Sequence, residues 1–464
     1  MIELFLIAMP SVIALLILIF RKHERLVLML PAVAGVLHLL GTTALLTVSE
    51  KYNIPVFSML GSDIFSRIIL LVLSVLFMAA SLNLNFWIPA ARLLEHKHPT
   101  MRTPVFCAIL TCFLSTMTLV LFSRNFGLLW VAVEATTLTS APLIAYHRSP
   151  GALEAMWKYL LICSVGIGLA LFGTFLLGVS FSNVHGLDFD ALLAAKESCH
   201  PQYFKAAFLF CLAGYGLKMG LAPFHTWLPD AHSEAPSLVS VLLSGALLNC
   251  SFLGIIRVMA LASGKDMEAF CSNYLLFFGI LSLAVAACFI LRQNDYKRML
   301  AYSSVEHMGL IAILWSLGLK EMSMLHLICH SACKMILFLL AGNILLAYGT
   351  RNCKAVTGMF STLPRTAFVW IAFILLICGM PPSPLFFTEF TLICSTDVFT
   401  GALVLFLLFA VFCGMTRIAM LMTMGKASDV PDLRAVPIVE KLTILPLLFG
   451  FIPLAIGIYL IFML

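Results

Sequence analysis

Charge is the scarcest commodity in this sequence. Only 11% of its 464 residues are Asp, Glu, Lys or Arg, while 62% are hydrophobic and the mean hydropathy is +1.05. No soluble core needs that much apolar surface, whereas a bilayer does. A soluble domain, a low-complexity segment and a long linker are equally lacking. There is no CxxC pair, no iron–sulfur or haem signature and no glycine-rich nucleotide loop, so the chain does not read as a redox catalyst in its own right. Most of the 14 cysteines sit inside apolar stretches, where thiols behave as small hydrophobes. Cys329 and Cys333 share a helix face with His326 and His330, but charged ligands and an open path are missing there, and no metal is expected.

What is present is a succession of apolar stretches joined by short connections. The pattern predicts an all-α polytopic membrane protein with 14 transmembrane helices, from a first span near 2–20 to a last near 441–463. The first span has no basic start and no small-residue cleavage site, so it reads as a retained helix. Basic residues divide unequally between the connections, seventeen on one side and seven on the other. That bias predicts both termini on the outer side of the membrane. The net charge of +6 reflects this asymmetry and gives no case for nucleic-acid binding. The connection 425–440, with Pro431 and Pro437, is the expected mobile or docking stretch.

Two of the predicted spans are interrupted. The seventh (203–228) breaks at "GLAPF", with Pro223 three positions after Gly220. The twelfth (365–394) breaks at "GMPPSPLFF", with Pro381 and Pro382 after Gly379. Proline cannot donate the next helical hydrogen bond. Two interrupted helices in corresponding places point to inverted repeats with an ion pathway at the breaks. The breaks lie five helices apart, which predicts discontinuous helices 7 and 12 and inverted five-helix repeats over helices 4–8 and 9–13. The corresponding segments are 1–100 (three N-terminal helices), 101–265 (first repeat), 266–425 (second repeat) and 426–464 (a connection and the last helix).

Ionisable residues inside spans narrow the function. A lysine at bilayer depth costs roughly 2.5–3.5 kcal/mol on insertion scales. Even so, Lys218 precedes the first break, Glu134 lies in the fifth span and Glu389 follows the second break. His326, His330 and Lys334 recur at intervals of four on one face of the eleventh span. A Glu134 beside Lys218 would hold the lysine protonated, and separation of the two would release the proton. His225, just past Pro223, reads either as a feeder of a hydrated path or as a helix cap. Arg257, Arg417, Glu306 and His307 read as structural residues near helix ends.

The stretch "FHTWLPDAHSEAPSLVSVLLSGALL" resembles the signature of antiporter-like proton-translocating subunits, found in complex I, Mrp antiporters and group 4 [NiFe] hydrogenases. "WVAVEATTLTSAPLIAY", "DYKRMLAYSSVEHMGLI", "HSACKMILFLLAGNI" and "GMPPSPLFFTEF" are most similar to the F-type subunit of hydrogenase-4. The likeness runs through roughly residues 100–425. It implies that Glu134, Lys218, Lys334 and Glu389 form a lateral hydrophilic axis. The sequence departs from that pattern in helix eight, where many relatives place a lysine or histidine and Ser244 and Asn249 stand here.

The resemblance implies a subunit that moves protons, or alternatively sodium, in a redox-driven complex of the prokaryotic cytoplasmic membrane. Other membrane subunits, a peripheral redox arm and lipids would be its partners. Iron–sulfur clusters and a NiFe centre would belong to those partners, with no cofactor in this chain. The alternatives are a scaffold with an incomplete channel at Asn249, and a subunit of an Mrp-like antiporter or carbon-uptake complex.

Overall fold

A computed structural model describes residues 2–47, 59–94, 101–427, 435–444 and 447. The described residues are helical, with isolated bridges but no β-strand among them. The helices are α1 (Ile2–Ile19), α2 (Glu24–Thr47), α3 (Ile64–Leu94), α4 (Thr103–Phe122), α5 (Phe126–Ile144) and α6 (Pro150–Ser180). There follow α7 (Pro201–Met219), α8 (Trp227–Glu234), α9 (Ser237–Ala260), α10 (Gly264–Leu291), α11 (Tyr296–Ser316) and α12 (Lys320–Tyr348). The last are α13 (Pro364–Ile377), α14 (Pro384–Cys394), α15 (Val398–Thr423) and the short α16 (Ala435–Leu442).

Among the described residues, eleven helical segments are long and apolar enough to cross a membrane. α11 is long but more polar, carrying Lys297, Arg298, Glu306 and His307. α13 and α14 are shorter apolar helices on either side of the second break. Most of the predicted last span, 441–463, lies outside the described residues, as does Pro431 of the connection before it.

Local chemistry sets the helix ends. Asn125 caps α5 by accepting from the Gly127 and Leu128 amides, and Asp295 caps α11 by accepting from Lys297 and Arg298. Ser149 and Ser383 cap α6 and α14, each with proline at the first helical position. Small residues let helices approach closely. A Cβ added at Gly214 of α7 would fall 2.5 Å from the Gly166 carbonyl of α6, and one at Gly279 of α10 would fall 2.9 Å from the Gly309 carbonyl of α11. α9 and α12 form the buried heart of the bundle, with every residue of the apolar window of α9 inside.

Both predicted breaks are present, and they share one hydrogen-bond pattern. At the first, Gly220 has φ +86° and donates to Leu217, Leu221 donates to Gly216, and Phe224 donates to Leu221. At the second, Gly379 has φ +66° and donates to Leu376, Met380 donates to Leu375, and Ser383 donates to Met380. The positive φ explains the glycine at each break, because the left-handed turn costs any residue with a Cβ about 1–2 kcal/mol.

Candidate functional site

The first polar cluster joins α5, α6 and α7 beside the first break. Lys218 is fully buried, and its Nζ donates to Thr137 Oγ1 at 2.8 Å and to Tyr159 Oη at 2.6 Å. The ammonium also lies 4.6 Å from the centre of the Tyr159 ring. Glu134 is not in an ion pair with Lys218. Thr137 stands between them and donates to Glu134 Oε2 at 3.3 Å, while Ser164 donates to the other carboxylate oxygen at 3.3 Å. The direct Glu134–Lys218 pairing expected from sequence is therefore replaced by a bridge through a hydroxyl, one turn along α5 from the acid. Tyr159 is further tied to Ser140 at 2.6 Å.

The break beside Lys218 is held by side chains. The freed Leu217 carbonyl accepts from the Trp227 indole N–H at 2.9 Å, and the Ala222 amide donates to Ser282 Oγ of α10 at 2.9 Å. Trp227 also packs on Tyr159, with ring centres 5.0 Å apart. One residue of the "FHTW" stretch thus satisfies the broken backbone and supports the lysine's partner. His225 is buried next to Tyr302, and its Nδ1 has no hydrogen-bond partner among the described residues, so it does not act as a cap through that atom.

Helix eight of the sequence pattern is α9, whose residues Leu243–Leu247 form a π-helical turn. Such turns are rare and concentrate at functional sites. Ser244 in this turn meets Ser304 of α11 at 2.7 Å. Ser304 donates to the Leu300 carbonyl at 3.1 Å, and Lys334 Nζ of α12 donates to that same carbonyl at 2.6 Å. Asn249 Nδ2 donates to Gly245 at 2.6 Å and to Ser331 of α12 at 3.0 Å, while its Oδ1 has no described partner. Polar contacts, not an apolar plug, occupy this crossing.

The second cluster surrounds the second break. His307 Nδ1 lies 3.0 Å from His326 Nε2, and His326 Nδ1 lies 2.8 Å from Thr388 Oγ1 of α14. The rings of His307 and His330 are 5.0 Å apart between centres. Glu389 packs against the Gly379 turn and leaves Oε1 without a described partner. Glu306 and His307 thus differ from the helix-end role expected of them: both are buried well inside α11 and face this cluster. Arg257 and Arg417 do serve structure, Arg257 in an ion pair with Asp63 and Arg417 on the Leu291 and Gln293 carbonyls.

A partly open cavity of about 330 Å³ is lined by His147, Glu234, Ser237, Lys297 and Arg351, among others. Behind its rim, both ring nitrogens of buried His232 and the hydroxyl of Ser237 lack hydrogen-bond partners among the described residues. Sequence reasoning missed Tyr159 and Trp227. Only Thr137, three residues from Glu134 on one helix face, carried a legible signal.

The sequence and the fold have known counterparts. The family model described as NADH:quinone oxidoreductase/Mrp antiporter, TM, matches residues 123–416. The chain is 36% identical over 287 residues to the hydrogenase-4 component F homolog of Methylacidiphilum infernorum (isolate V4), covering 60% of each chain. It thus spans under two thirds of that relative's length. Its fold is similar to a chain in the membrane-bound sulfane sulfur reductase, an archaeal respiratory membrane complex, with TM-score 0.83 and 20% identity over 98% of this chain and 95% of that one. A chain in the Mrp complex from Dietzia sp. DQ12-45-1b gives TM-score 0.83 and 19% identity over 98% and 94%. The chain belongs to the NADH:quinone oxidoreductase/Mrp antiporter transmembrane family.

Proposed function

We propose that this chain is the proton-translocating subunit of a redox-driven complex of the group 4 hydrogenase type in a prokaryotic cytoplasmic membrane, with sodium the alternative ion. The observation that carries the reading is Lys218: a fully buried lysine, one turn from a helix break, bridged to Glu134 by Thr137. A hydroxyl between base and acid passes a proton without a permanent ion pair. Motion at the break changes that contact and so releases or captures the proton. The second cluster, with His326, His330, Lys334 and Glu389, is the corresponding half of the path. Ser244 and Asn249 join the halves by hydrogen bonds.

The shared hydrogen-bond pattern of the two breaks supports fourteen helices with inverted repeats over 101–265 and 266–425. Both termini lie outside on this reading, which places the Glu234 cavity on the inner face as the entry. Each charge moved against 100 mV costs about 2.3 kcal/mol. That energy comes from a peripheral redox arm whose iron–sulfur and NiFe centres reside in partner subunits, while this chain binds lipid and other membrane subunits.

A second reading, a scaffold with an interrupted channel, rests on Asn249, which cannot hold a proton. Redox-driven proton uptake by inverted vesicles separates the two. Loss of pumping in Lys218→Ala and Glu134→Gln, with redox turnover retained, supports transport. Pumping that survives both changes overturns the relay, and a wild type that turns over without pumping selects the scaffold.

A further inference from the structure

We infer that the second cluster is also a binding site for a divalent transition-metal cation of the Zn²⁺ class, with His307, His326 and Glu389 as its ligands. One donor atom from each residue lies within 4.8 Å of the others, and all three residues are buried. Two imidazoles and one carboxylate match the donors that Zn²⁺ takes, leaving a fourth position open.

The second shell carries the inference beyond a chance meeting of ligands. Thr388 Oγ1 donates to the Leu385 carbonyl at 2.8 Å, so its lone pairs accept from His326 Nδ1–H at 2.8 Å. That fixes the tautomer of His326 with the Nε2 lone pair turned to His307. Anchoring the far ring nitrogen on an oxygen is how metal-binding histidines are oriented. His307 Nδ1 and His326 Nε2 are 3.0 Å apart, whereas two tetrahedral ligands on zinc stand about 3.3 Å apart, given bonds of about 2.0–2.1 Å. The metal takes the place of the hydrogen between the rings after a separation of a few tenths of an ångström, and His307 takes that proton on its Nε2, which has no partner among the described residues. The remaining ligand, Glu389, has no partner for Oε1 among the described residues and sits on the short α14, immediately beyond the break. His330, whose two ring nitrogens have no partner among the described residues, has its ring beside that of His307.

A cation here clamps α11, α12 and α14 together and removes His326 and Glu389 from proton exchange. The resulting block of pumping rests on the proposed proton path, whereas the site itself does not. The test is equilibrium dialysis of the intact purified complex against Zn²⁺ with metal analysis, alongside Zn²⁺ inhibition of proton uptake in vesicles. Wild type should hold one more Zn²⁺ per chain than His326→Ala or Glu389→Gln. Thr388→Val, which keeps every ligand, should weaken binding about 10–100-fold. His185→Ala, at an exposed outlying histidine, should match wild type. Equal zinc content and affinity in wild type, His326→Ala and Thr388→Val would overturn the site. Binding that obeys these variants while zinc leaves pumping untouched would uphold the site and count against the proton path through it.

Discussion

Replacing Lys218 by methionine should abolish ion transport at a smaller cost in stability than replacing it by alanine. A lysine at bilayer depth costs about 2.5–3.5 kcal/mol against an apolar residue. Its hydrogen bonds to Thr137 and Tyr159, at 2.8 and 2.6 Å, come from a charged donor and return about 1.5–3 kcal/mol each, which offsets that cost. Removing the ammonium strands neither hydroxyl, because Tyr159 keeps Ser140 and Thr137 keeps Glu134. Methionine fills the path of the lysine stem, so the net expectation lies between no change and a loss of about 3 kcal/mol. Lys218→Ala removes the same charge but empties the stem, and such cavities cost about 2–5 kcal/mol. The two variants should therefore differ by about 2 kcal/mol or more in stability and be indistinguishable in transport. Denaturation midpoints in one detergent, paired with proton uptake in vesicles, measure both quantities. A methionine variant as unstable as the alanine variant, or one that still pumps, would refute the reasoning.

Tyr159→Phe keeps the ring under Lys218 but removes an acceptor worth about 1.5–3 kcal/mol to the charged donor, so proton uptake should fall at least about tenfold, between wild type and Lys218→Met. Gly379→Ala and Gly318→Ala both place a side chain at positive φ and should each cost about 1–2 kcal/mol of stability. Only the first pushes on Glu389, whose Cδ would lie 2.8 Å from the new Cβ, so only Gly379→Ala should also impair pumping. At the far end of α3, burial raises the carboxyl pKa of Asp63, but Arg257, the Ser66 amide and Arg124 outweigh it and hold the group below its usual range. A depressed folded pKa stabilises above the ordinary value near about 4 and is lost as pH falls through the folded value. Unfolding curves of wild type and Asp63→Asn should thus be separate at neutral pH and converge in acid; a constant separation would remove Asp63 as the cause. Asn249→Lys should leave proton uptake unchanged or raise it, and a complete block would show that the amide is required at the crossing.

The membrane class, both helix breaks and the buried lysines were legible in the sequence because each breaks a one-dimensional rule. A proline three residues after a glycine in an apolar run, or a lysine within one, needs no partner to be noticed. What the lysines touch was not legible. Tyr159 is one aromatic among many in an apolar stretch, and only packing of α6 against α7 through Gly166 and Gly214 brings it to Lys218. Glu306 and His307 were misplaced for a related reason. Charged residues early in a span suggest an interface, but α11 begins further inside the bundle than its hydropathy implies and buries both. The ligand set His307, His326 and Glu389 draws on three helices, and spacing within one chain segment carries no trace of it.

The crossing at α9 then bears on how the two halves are coupled. Lys218 and Lys334 are both fully buried, yet the groups between them along α9 are hydroxyls, an amide and carbonyls. The hydroxyls can accept one hydrogen bond and donate another, the Leu300 carbonyl only accepts, from both Ser304 and Lys334, and none of these groups stores a proton. On the proposed path, storage is therefore confined to the two clusters, each beside its own break, and the crossing stays neutral. A neutral crossing exerts no charge of its own on either lysine. Coupling between the halves then has to travel by helix motion at the breaks or by hydrogen-bond reorganisation through the π-helical turn, where Ser244 sits. The regular hydrogen bonding of α9 gives way within that turn, and it is there that the first half of the bundle meets α11 and α12.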